Sequence, residues 1–423
     1  MRANPDMHVV SAGARDSNGQ IAPVPRISVQ AFCETPDVAA IINEAVADRR
    51  MDKAHVKVHM GGGPAAVEAY RTSPTPNVIV LETSADKDAL IGNLDSLSEF
   101  CDAGTKVVVV GRVNDIGLYR NLMSRGVSEY IVAPVGVMDF IRSISHLYND
   151  AAADPLGRTI AVIGAKGGVG ASTIAHNVGW AISRSQEIAT VIADLDLGFG
   201  TAGLNFNQDP PQGIAEAVFA PDRLDAGLLD RLLTKCSEKL SLLAAPATLD
   251  RQYDFGETAF DGILDILRAT VPCVVVDVPH VWTAWSRRML IGAEEVVLVA
   301  APDLANLRNA KNILDTLRAA RPNDGRPRLV MNCVGVQKRP EISVSDFAEA
   351  VDLEPVAVIP FDPRLFGTAA NNGQMIVEVE ASSKIAESLS ELARIVTGRS
   401  DIRRAKKSLL APFMERLGRK KAS

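Results

Sequence analysis

The stretch TIAVIGAKGGVGASTIAHNVGWAIS, residues 159–183, decides how the larger part of this chain folds. It begins as an apolar strand, passes through a loop with glycines at 167, 168 and 170, and continues as a helix. Glycines let the backbone curl so that its N–H groups face one point, and the start of a helix is the positive end of its dipole. The order of strand, loop and helix therefore predicts a phosphate-binding loop rather than a structural glycine turn.

One position departs from the usual phosphate-loop pattern, in which the last glycine is followed by lysine and then by serine or threonine. Ala171 stands where the lysine is expected, and Lys166 stands near the front of the loop. Ser172 keeps the hydroxyl that reaches Mg²⁺ in such loops. The missing lysine removes a charge-assisted hydrogen bond of about 1.5–3 kcal/mol, which predicts weaker nucleotide binding and slow or absent hydrolysis.

Two series of alternating strands and helices organise the chain. The first has five strands, each followed by a helix, and the second runs from the loop strand to VAVIPFDP. Continuous apolar strands rich in Val and Ile are what a parallel sheet buried on both faces requires. The predicted fold class is therefore α/β, with two doubly wound parallel-sheet domains. The predicted segments are a disordered N-terminus at 1–25, a domain at 26–150, a linker at 151–158, a domain at 159–398 and a basic tail at 399–423.

Composition narrows the class of protein. The 423 residues are 47% hydrophobic and 23% charged, which is typical of globular domains with substantial cores. The five cysteines are scattered without a CxxC pair, which argues against a zinc site and a disulfide framework. The N-terminus has no apolar segment of signal-peptide length, and no run is long enough to span a bilayer. We therefore expect a cytoplasmic protein.

The C-terminal tail carries charge of the opposite sign to the body. Residues 399–423 contain nine Lys and Arg against two acidic residues, so the tail is +7 and the rest of the chain is −13. An apolar stripe flanked by basic residues predicts an amphipathic helix that binds an anionic membrane surface, although Pro412 interrupts it. A partner-docking helix and a solvated tail are the alternatives, and the acidic body makes nucleic acid an improbable ligand. The stripe consists of Leu409, Leu410, Phe413, Met414 and Leu417.

The first domain resembles the receiver domain of bacterial response regulators, but most of the residues for phosphorylation chemistry are missing. Glu34 follows the first strand, the third strand ends in Glu82 rather than aspartate, and Gly111 and Ala133 replace the hydroxyl and lysine positions. Without an acidic pair for Mg²⁺ and a lysine for the phosphoryl oxygens, phosphotransfer is not expected. We predict a pseudo-receiver that binds proteins or dimerises, with Glu82 in the acceptor position. An unrelated flavodoxin-like domain is the alternative.

The second domain resembles the MinD/ParA family of ATPases, whose deviant phosphate loop has the form KGGVGxST. The resemblance implies that Lys166 reaches across a dimer interface to the nucleotide of the partner subunit. It also implies that Asp196 orients the attacking water and that Asp194, in the same DLD motif, lies near the metal and the loop. The family's second loop lysine is Ala171 here.

The resemblance also assigns residues further along the domain. Asp277, at the end of CVVVD, corresponds to the family's water-mediated Mg²⁺ ligand. Asn332 corresponds to the asparagine that reads the adenine edge, and Pro360 would lie beside the base. The expected cofactors are ATP and Mg²⁺, with catalytic roles for Asp196 and Lys166 and metal roles for Ser172, Asp194 and Asp277. The expected nucleotide-binding residues are Gly167, Gly168, Val169, Gly170, Ala171, Ser172, Thr173, Asn332 and Pro360.

A receiver-like domain joined to such an ATPase domain resembles the CpaE/TadZ family of localisation proteins of tight-adherence (Flp) pilus assembly. That resemblance implies a homodimer at a cell pole that recruits the pilus secretion ATPase and inner-membrane pilus proteins. The alternative is an active ParA/MinD-type ATPase that positions another polar cargo through ATP turnover. Ala171 disfavours rapid turnover, so the sequence predicts at most a slow ATPase.

The segment after Asp277 has three further aromatic or titratable side chains. Trp282 and Trp285 are candidates for an interface, because tryptophan is enriched in interface hot spots, and equally for core packing. His280 has no partner identifiable from the sequence, and a role as catalytic base is not expected.

Overall fold

The computed structural model describes residues 21–84, 87–102, 104–148, 156–249 and 251–399. The chain divides into two compact units, Met1–Asp154 and Pro155–Ser423, and the division falls within the predicted linker. Most of the predicted N-terminal segment and all of the predicted tail except Arg399 lie outside the described residues. None of the helices in these ranges has the length and apolar composition needed to cross a bilayer.

The first unit is a five-stranded parallel sheet with the strand order β2-β1-β3-β4-β5. Each strand is followed by a helix, as the sequence predicts, and the helices cover both faces of the sheet. The elements are β1 (Ser28–Cys33), α1 (Pro36–Val46), β2 (His55–Met60), α2 (Gly62–Tyr70), β3 (Val78–Glu82), α3 (Lys87–Ser98), β4 (Lys106–Gly111), α4 (Ile116–Ser124), β5 (Glu129–Val132) and α5 (Val137–His146), with a 3-10 turn at Arg49–Met51.

Two apolar clusters, one on each face, hold this unit together. One joins α1 and α5 to the sheet through side chains such as Ile42 and Phe140, and the other joins α2, α3 and α4 to the opposite face. Ile21 and Val24, within the segment predicted to be disordered, are buried in the first cluster. The N–H of Val24 also donates to the carbonyl of Arg50 at 2.8 Å.

The second unit is an eight-stranded sheet with the order β13-β12-β11-β6-β10-β7-β9-β8. All neighbouring strands are parallel except β8, which runs antiparallel to β9 at one edge. The elements are β6 (Arg158–Gly164), α6 (Ala171–Ser185), β7 (Thr190–Asp194), α7 (Ala202–Asn205), α8 (Ile214–Val218), α9 (Ala226–Leu232), β8 (Thr234–Ser237), β9 (Leu240–Leu243), α10 (Asp261–Thr270), β10 (Cys273–Val278), α11 (Ala284–Gly292), β11 (Glu295–Ala300), α12 (Leu304–Ala320), β12 (Arg328–Val334), α13 (Val344–Val351), β13 (Pro355–Pro360), α14 (Pro363–Asn372), α15 (Ile376–Val379) and α16 (Lys384–Val396), with a 3-10 turn at Pro221–Arg223.

The central strands of this sheet are buried on both faces, as their apolar sequences predict. Along β6, Ala161 and Ile163 face one cluster while Ile160 and Val162 face the other. The first cluster is covered by α10, α11, α12 and α13, and the second by α6, α14 and α16. Because the strands are parallel, the ends of β6, β7, β10 and β11 meet at one edge, where ligands bind in open α/β sheets.

Candidate nucleotide-binding site

The glycine-rich loop leaves β6 and enters α6 with Gly168 at φ +79° and Gly170 at φ +85°, both in the left-handed region. A Cβ at Gly170 would lie 2.6 Å from Asn332 Nδ2, so both conformation and space require glycine there. A Cβ at Gly167 or Gly168 would meet nothing within 4 Å. Within the described ranges, the backbone N–H groups of residues 166–170 donate to no protein acceptor, so they are available to an anion.

Two asparagine side chains hold this loop through its carbonyl groups. Asn332, buried on β12, donates its Nδ2 to the carbonyl of Val169 at 2.8 Å, and Asn309 on α12 donates to the carbonyl of Ala165 at 2.9 Å. Asn332 thus anchors the loop in this structure, while its predicted contact with adenine stays a prediction. Pro360 ends β13 and is exposed, which leaves it accessible to a base.

His280 also contacts the loop, and the sequence contains no signal for this contact. Its Nδ1 lies 2.9 Å from the carbonyl of Gly164, which makes the imidazole a donor to the last residue of β6. The two tryptophans that follow have different environments. Trp285 is buried, with its ring centroid 4.8 Å from that of Phe260, whereas Trp282 is 51% exposed. Of this pair, only Trp282 is available to an interface.

The start of α6 provides the side chains that the loop pattern predicts. Ser172 and Thr173 are half-buried at the first turn, and in the described structure neither hydroxyl has a protein partner. Ala171 is also half-buried there, so no cation stands at the position of the usual lysine. Lys166 is exposed on the loop. Burial alone would raise the pKa of Asp303, but hydrogen bonds from Asn306 and the charge of Lys166 hold it below its ordinary value.

The two predicted metal-side carboxylates are register partners at the sheet edge. Asp194 ends β7 and Asp277 lies in β10, the two residues pair directly, and both are buried. The Asp194 carboxylate accepts hydrogen bonds from the N–H groups of Asp196 and Ala202, each at 3.1 Å. Burial and the charge of Asp277 raise the pKa of Asp194 to about 7, and His176 partly offsets this.

Asp196 lies in the turn that Asp194 supports. It is half-buried, and its Oδ1 accepts a hydrogen bond from the N–H of Phe199 at 3.0 Å. The turn passes so close to Asp194 that a Cβ at Gly200 would lie 2.4 Å from Asp194 Oδ2. The structure therefore brings the DLD motif to the same sheet edge as the loop, and the catalytic role predicted for Asp196 stays a prediction.

A buried histidine completes this cluster, and its role was not predicted from the sequence. His176 lies on α6 with no exposed surface, and its Nε2 is 3.4 Å from Asp277 Oδ2. The ligand atoms of His176, Asp194 and Asp277 all lie within 4.8 Å of one another. On a helix, a lone histidine has the spacing of an ordinary core residue, so only the folded structure shows this proximity.

These residues fit a Mg²⁺-nucleotide on chemical grounds. Mg²⁺ takes oxygen ligands and keeps several of its waters, so it needs a site that water can reach. The half-buried hydroxyl of Ser172 provides an oxygen ligand in such a position. Asp277 is suited to hold one of those waters, whereas both oxygens of Asp194 are engaged by backbone N–H groups. The loop N–H groups would hold the phosphates, and no cation of the same loop replaces the lysine lost at Ala171.

The receiver-like site of the first unit is closed by its own side chains. Glu82 is buried and accepts hydrogen bonds from the N–H groups of Glu34 and Thr35 at 2.8 and 2.9 Å, and from Thr35 Oγ1 at 2.6 Å. The Glu34 carboxylate in turn accepts from the N–H and Oγ of Ser84. The negative charge at the acceptor position is therefore used to fix the start of α1.

Comparison with known proteins gives matches of two kinds. No family model matches the chain. A solved structure of the pilus assembly protein CpaE from Caulobacter crescentus CB15 is 50% identical in sequence. It matches over 100% of its own length and 31% of this chain, with a TM-score of 0.30 over the whole chain. The chain belongs to the CpaE family.

Other matches of this CpaE-family chain include a ParA family ATPase and a septum site-determining protein. A ParA family ATPase from Chlorobium tepidum TLS is 24% identical, covers 56% of this chain and 98% of its own, and has a TM-score of 0.51, which shows a shared fold. The septum site-determining protein MinD of Synechocystis sp. is 26% identical over 273 residues, 62% of this chain and 99% of that protein. The doubly wound domains of the CpaE-family chain confirm the predicted fold class.

Proposed function

We propose that this CpaE-family chain is an ATP-binding localisation and scaffold protein of tight-adherence (Flp) pilus assembly, in which nucleotide binding and dimerisation are coupled. One observation carries the proposal. The phosphate loop keeps its conformation and its free N–H groups, while Ala171 removes the lysine that a rapid ATPase uses at the same position. Such a site is suited to holding a nucleotide and poorly suited to turning it over.

A second subunit supplies the missing charge in this proposal. Lys166 is exposed at the front of the loop, which is the position from which a side chain reaches a facing molecule. The same sheet edge exposes large apolar side chains, each more than half accessible, on the segments that follow β7, β10 and β11. Apolar side chains grouped in this way favour protein contact. They are Phe199, Leu204, Trp282 and Leu304.

The magnitude of the missing interaction sets the expected affinity. A charge-assisted hydrogen bond contributes about 1.5–3 kcal/mol, so its loss weakens phosphate binding roughly ten- to a hundredfold. Lys166 of the partner restores a comparable interaction only in the dimer. Phosphoryl transfer depends on positioning and charge neutralisation, so hydrolysis is slow even there.

The test measures self-association by sedimentation velocity with ATP and Mg²⁺, with ADP, and without nucleotide. Wild type dimerises with ATP and Mg²⁺, and Lys166→Ala binds ATP as a monomer. The control variant is Lys338→Ala, which removes an exposed lysine in a different loop of the same unit. Identical association of wild type in all three conditions would contradict the coupling.

The proposal extends to partners and location. The dimer recruits the pilus secretion ATPase and inner-membrane pilus proteins at a cell pole, the pseudo-receiver domain serves as a protein-binding module, and the basic tail contacts the membrane. Flotation with anionic liposomes, comparing the full chain with a chain lacking residues 408–423, tests the membrane contact. Equal partitioning of the two chains would remove it.

The alternative is an active ParA/MinD-type ATPase that positions another polar cargo. The buried Asp194 and Asp277 and the accessible Asp196 favour it, because they keep the carboxylates that such turnover uses. Steady-state phosphate release separates the two functions, since sustained turnover by wild type supports the positioning ATPase and negligible turnover supports the scaffold.

A further inference from the structure

The short helix α7 is held at both of its ends by the buried cluster beneath the phosphate loop. At its start, the N–H of Ala202 donates to Asp194 Oδ2 at 3.1 Å. At its end, Nδ2 of Asn205 lies 2.8 Å from Nδ1 of His176. Because the amide nitrogen donates, Nδ1 accepts, and the ring hydrogen of His176 is on Nε2.

Asp277 lies beside that nitrogen without forming a hydrogen bond to it. Nε2 of His176 has no exposed surface and no hydrogen-bond partner within the described residues, and Asp277 Oδ2 lies 3.4 Å from it. The separation is longer than a good N–H···O bond of 2.7–3.2 Å. The contact with Asp277 is therefore a close electrostatic one, while the contact with Asn205 is at hydrogen-bond distance. His176 is thus a rigid ring between a carboxylate of β10 and the end of α7.

The helix that His176 holds carries an exposed apolar surface. Leu204 is 72% exposed on α7, and Phe199, in the turn before it, is 77% exposed. The ring of Phe206, directly after α7, packs 5.8 Å from the ring of His176. A shift of His176 therefore moves residues that solvent or a protein partner contacts.

We propose that His176 is a positioning residue that transmits the state of Asp277 to α7, so that filling the metal side of the site changes the surface formed by Phe199 and Leu204. The regulatory part rests on the proposed nucleotide binding. The link between Asp277 and α7 through His176 does not, because His176 contacts both without a ligand. Side chains in direct contact couple energetically, and this predicts non-additive variants.

The link is tested by a double-mutant cycle in the nucleotide-free full chain. The variants are His176→Asn, Asp277→Asn and both together, read by hydrogen exchange at the N–H groups of residues 205 and 206, which close the turn of α7. Asparagine at 176 keeps an amide near the position of Nδ1 and does not reach Asp277. Ser183→Ala, a buried polar change further along α6, is the control for general loosening of that helix.

We expect Asp277→Asn to change exchange at these two amides by about fivefold or more in the wild-type background and by less than about twofold when residue 176 is Asn. Equal effects in both backgrounds, or no effect of Asp277→Asn in either, would overturn the link. Should His176→Asn lose its native circular dichroism, Asn205→Ala replaces it at the half-buried end of the same contact, with the same expected non-additivity.

A second arm adds ATP and Mg²⁺ and measures nucleotide binding separately with a fluorescent ATP analogue. Wild type and Ser183→Ala show altered exchange of α7 on binding, and His176→Asn, at an ATP concentration that saturates it, shows no altered exchange. Binding with a full response in His176→Asn contradicts the inference. Absence of binding in wild type contradicts the proposed function instead, and the nucleotide-free cycle then decides the link by itself.

Discussion

Replacing Asn332 by alanine separates two roles for one side chain. Its Nδ2 donates to the carbonyl of Val169 in a buried environment, whereas the family resemblance assigns it to the adenine edge. Removing the donor leaves a buried carbonyl unsatisfied, which costs about 1–3 kcal/mol. If the loop is then free to leave its binding conformation, a cost of about 2 kcal/mol lowers nucleotide affinity by up to roughly 30-fold.

The two roles predict different effects of Asn332→Ala on the affinities for ATP and GTP. The loop contacts phosphates, which ATP and GTP share, so Asn332→Ala lowers both affinities by the same factor when anchoring dominates. Titration with fluorescent ATP and GTP analogues measures both. Asn309→Ala is the matched control, because it removes the same type of bond to Ala165 at a half-buried position, where water can replace the donor and the cost is about 0.5–1 kcal/mol. Loss of ATP affinity with unchanged GTP affinity would refute the anchoring argument.

Three further changes test other parts of the structure. Ala171→Lys restores the loop lysine and is expected to raise ATP affinity about ten- to a hundredfold and to increase phosphate release, measured by titration and steady-state assay. Glu82→Ala removes three hydrogen bonds and is expected to speed hydrogen exchange at the N–H groups of Glu34 and Thr35 by at least about tenfold, with a smaller change for Glu82→Gln. The folded state holds the proton of Asp194 more tightly than the unfolded state, so the contribution of Asp194 to the stability of the ligand-free chain falls as pH rises from about 4 to about 7. Thermal unfolding across this range checks it, and Asp194→Asn flattens the dependence.

The sheet cores were predictable because their strands are buried on both faces and therefore read as continuous apolar runs. The strand β8 was not predicted, since Thr234–Ser237 is a short edge strand of half-exposed polar residues with no such signal. Burial of Ile21 and Val24 was also missed, because polar, proline-rich neighbours conceal two isolated apolar positions. Edge and terminal segments depend on contacts far away in sequence, which local pattern does not contain.

The candidate site also contains residues whose positions the sequence predicted and residues whose contacts it did not. The loop glycines, Asp194 and Asp277 lie at one edge of the sheet, because each follows or ends a strand and parallel strands end at one edge, and their roles at a nucleotide stay predictions. The loop anchors Asn309 and His280 were not predicted, since each contacts the backbone more than a hundred residues away. Sequence patterns report residue type and spacing, and side-chain direction at a loop is set only when the chain has folded.

The closed site of the first unit bears on how strongly a partner can bind it. In a receiver that switches, only a fraction of molecules has the binding surface in its active form, and the observed dissociation constant rises as that fraction falls. Both oxygens of Glu82 accept hydrogen bonds from the start of α1, so the carboxylate at the acceptor position is already paired within this unit. In the proposed role of this unit as a protein-binding module, the pairing of Glu82 predicts that an inactive form at this position does not raise the observed dissociation constant.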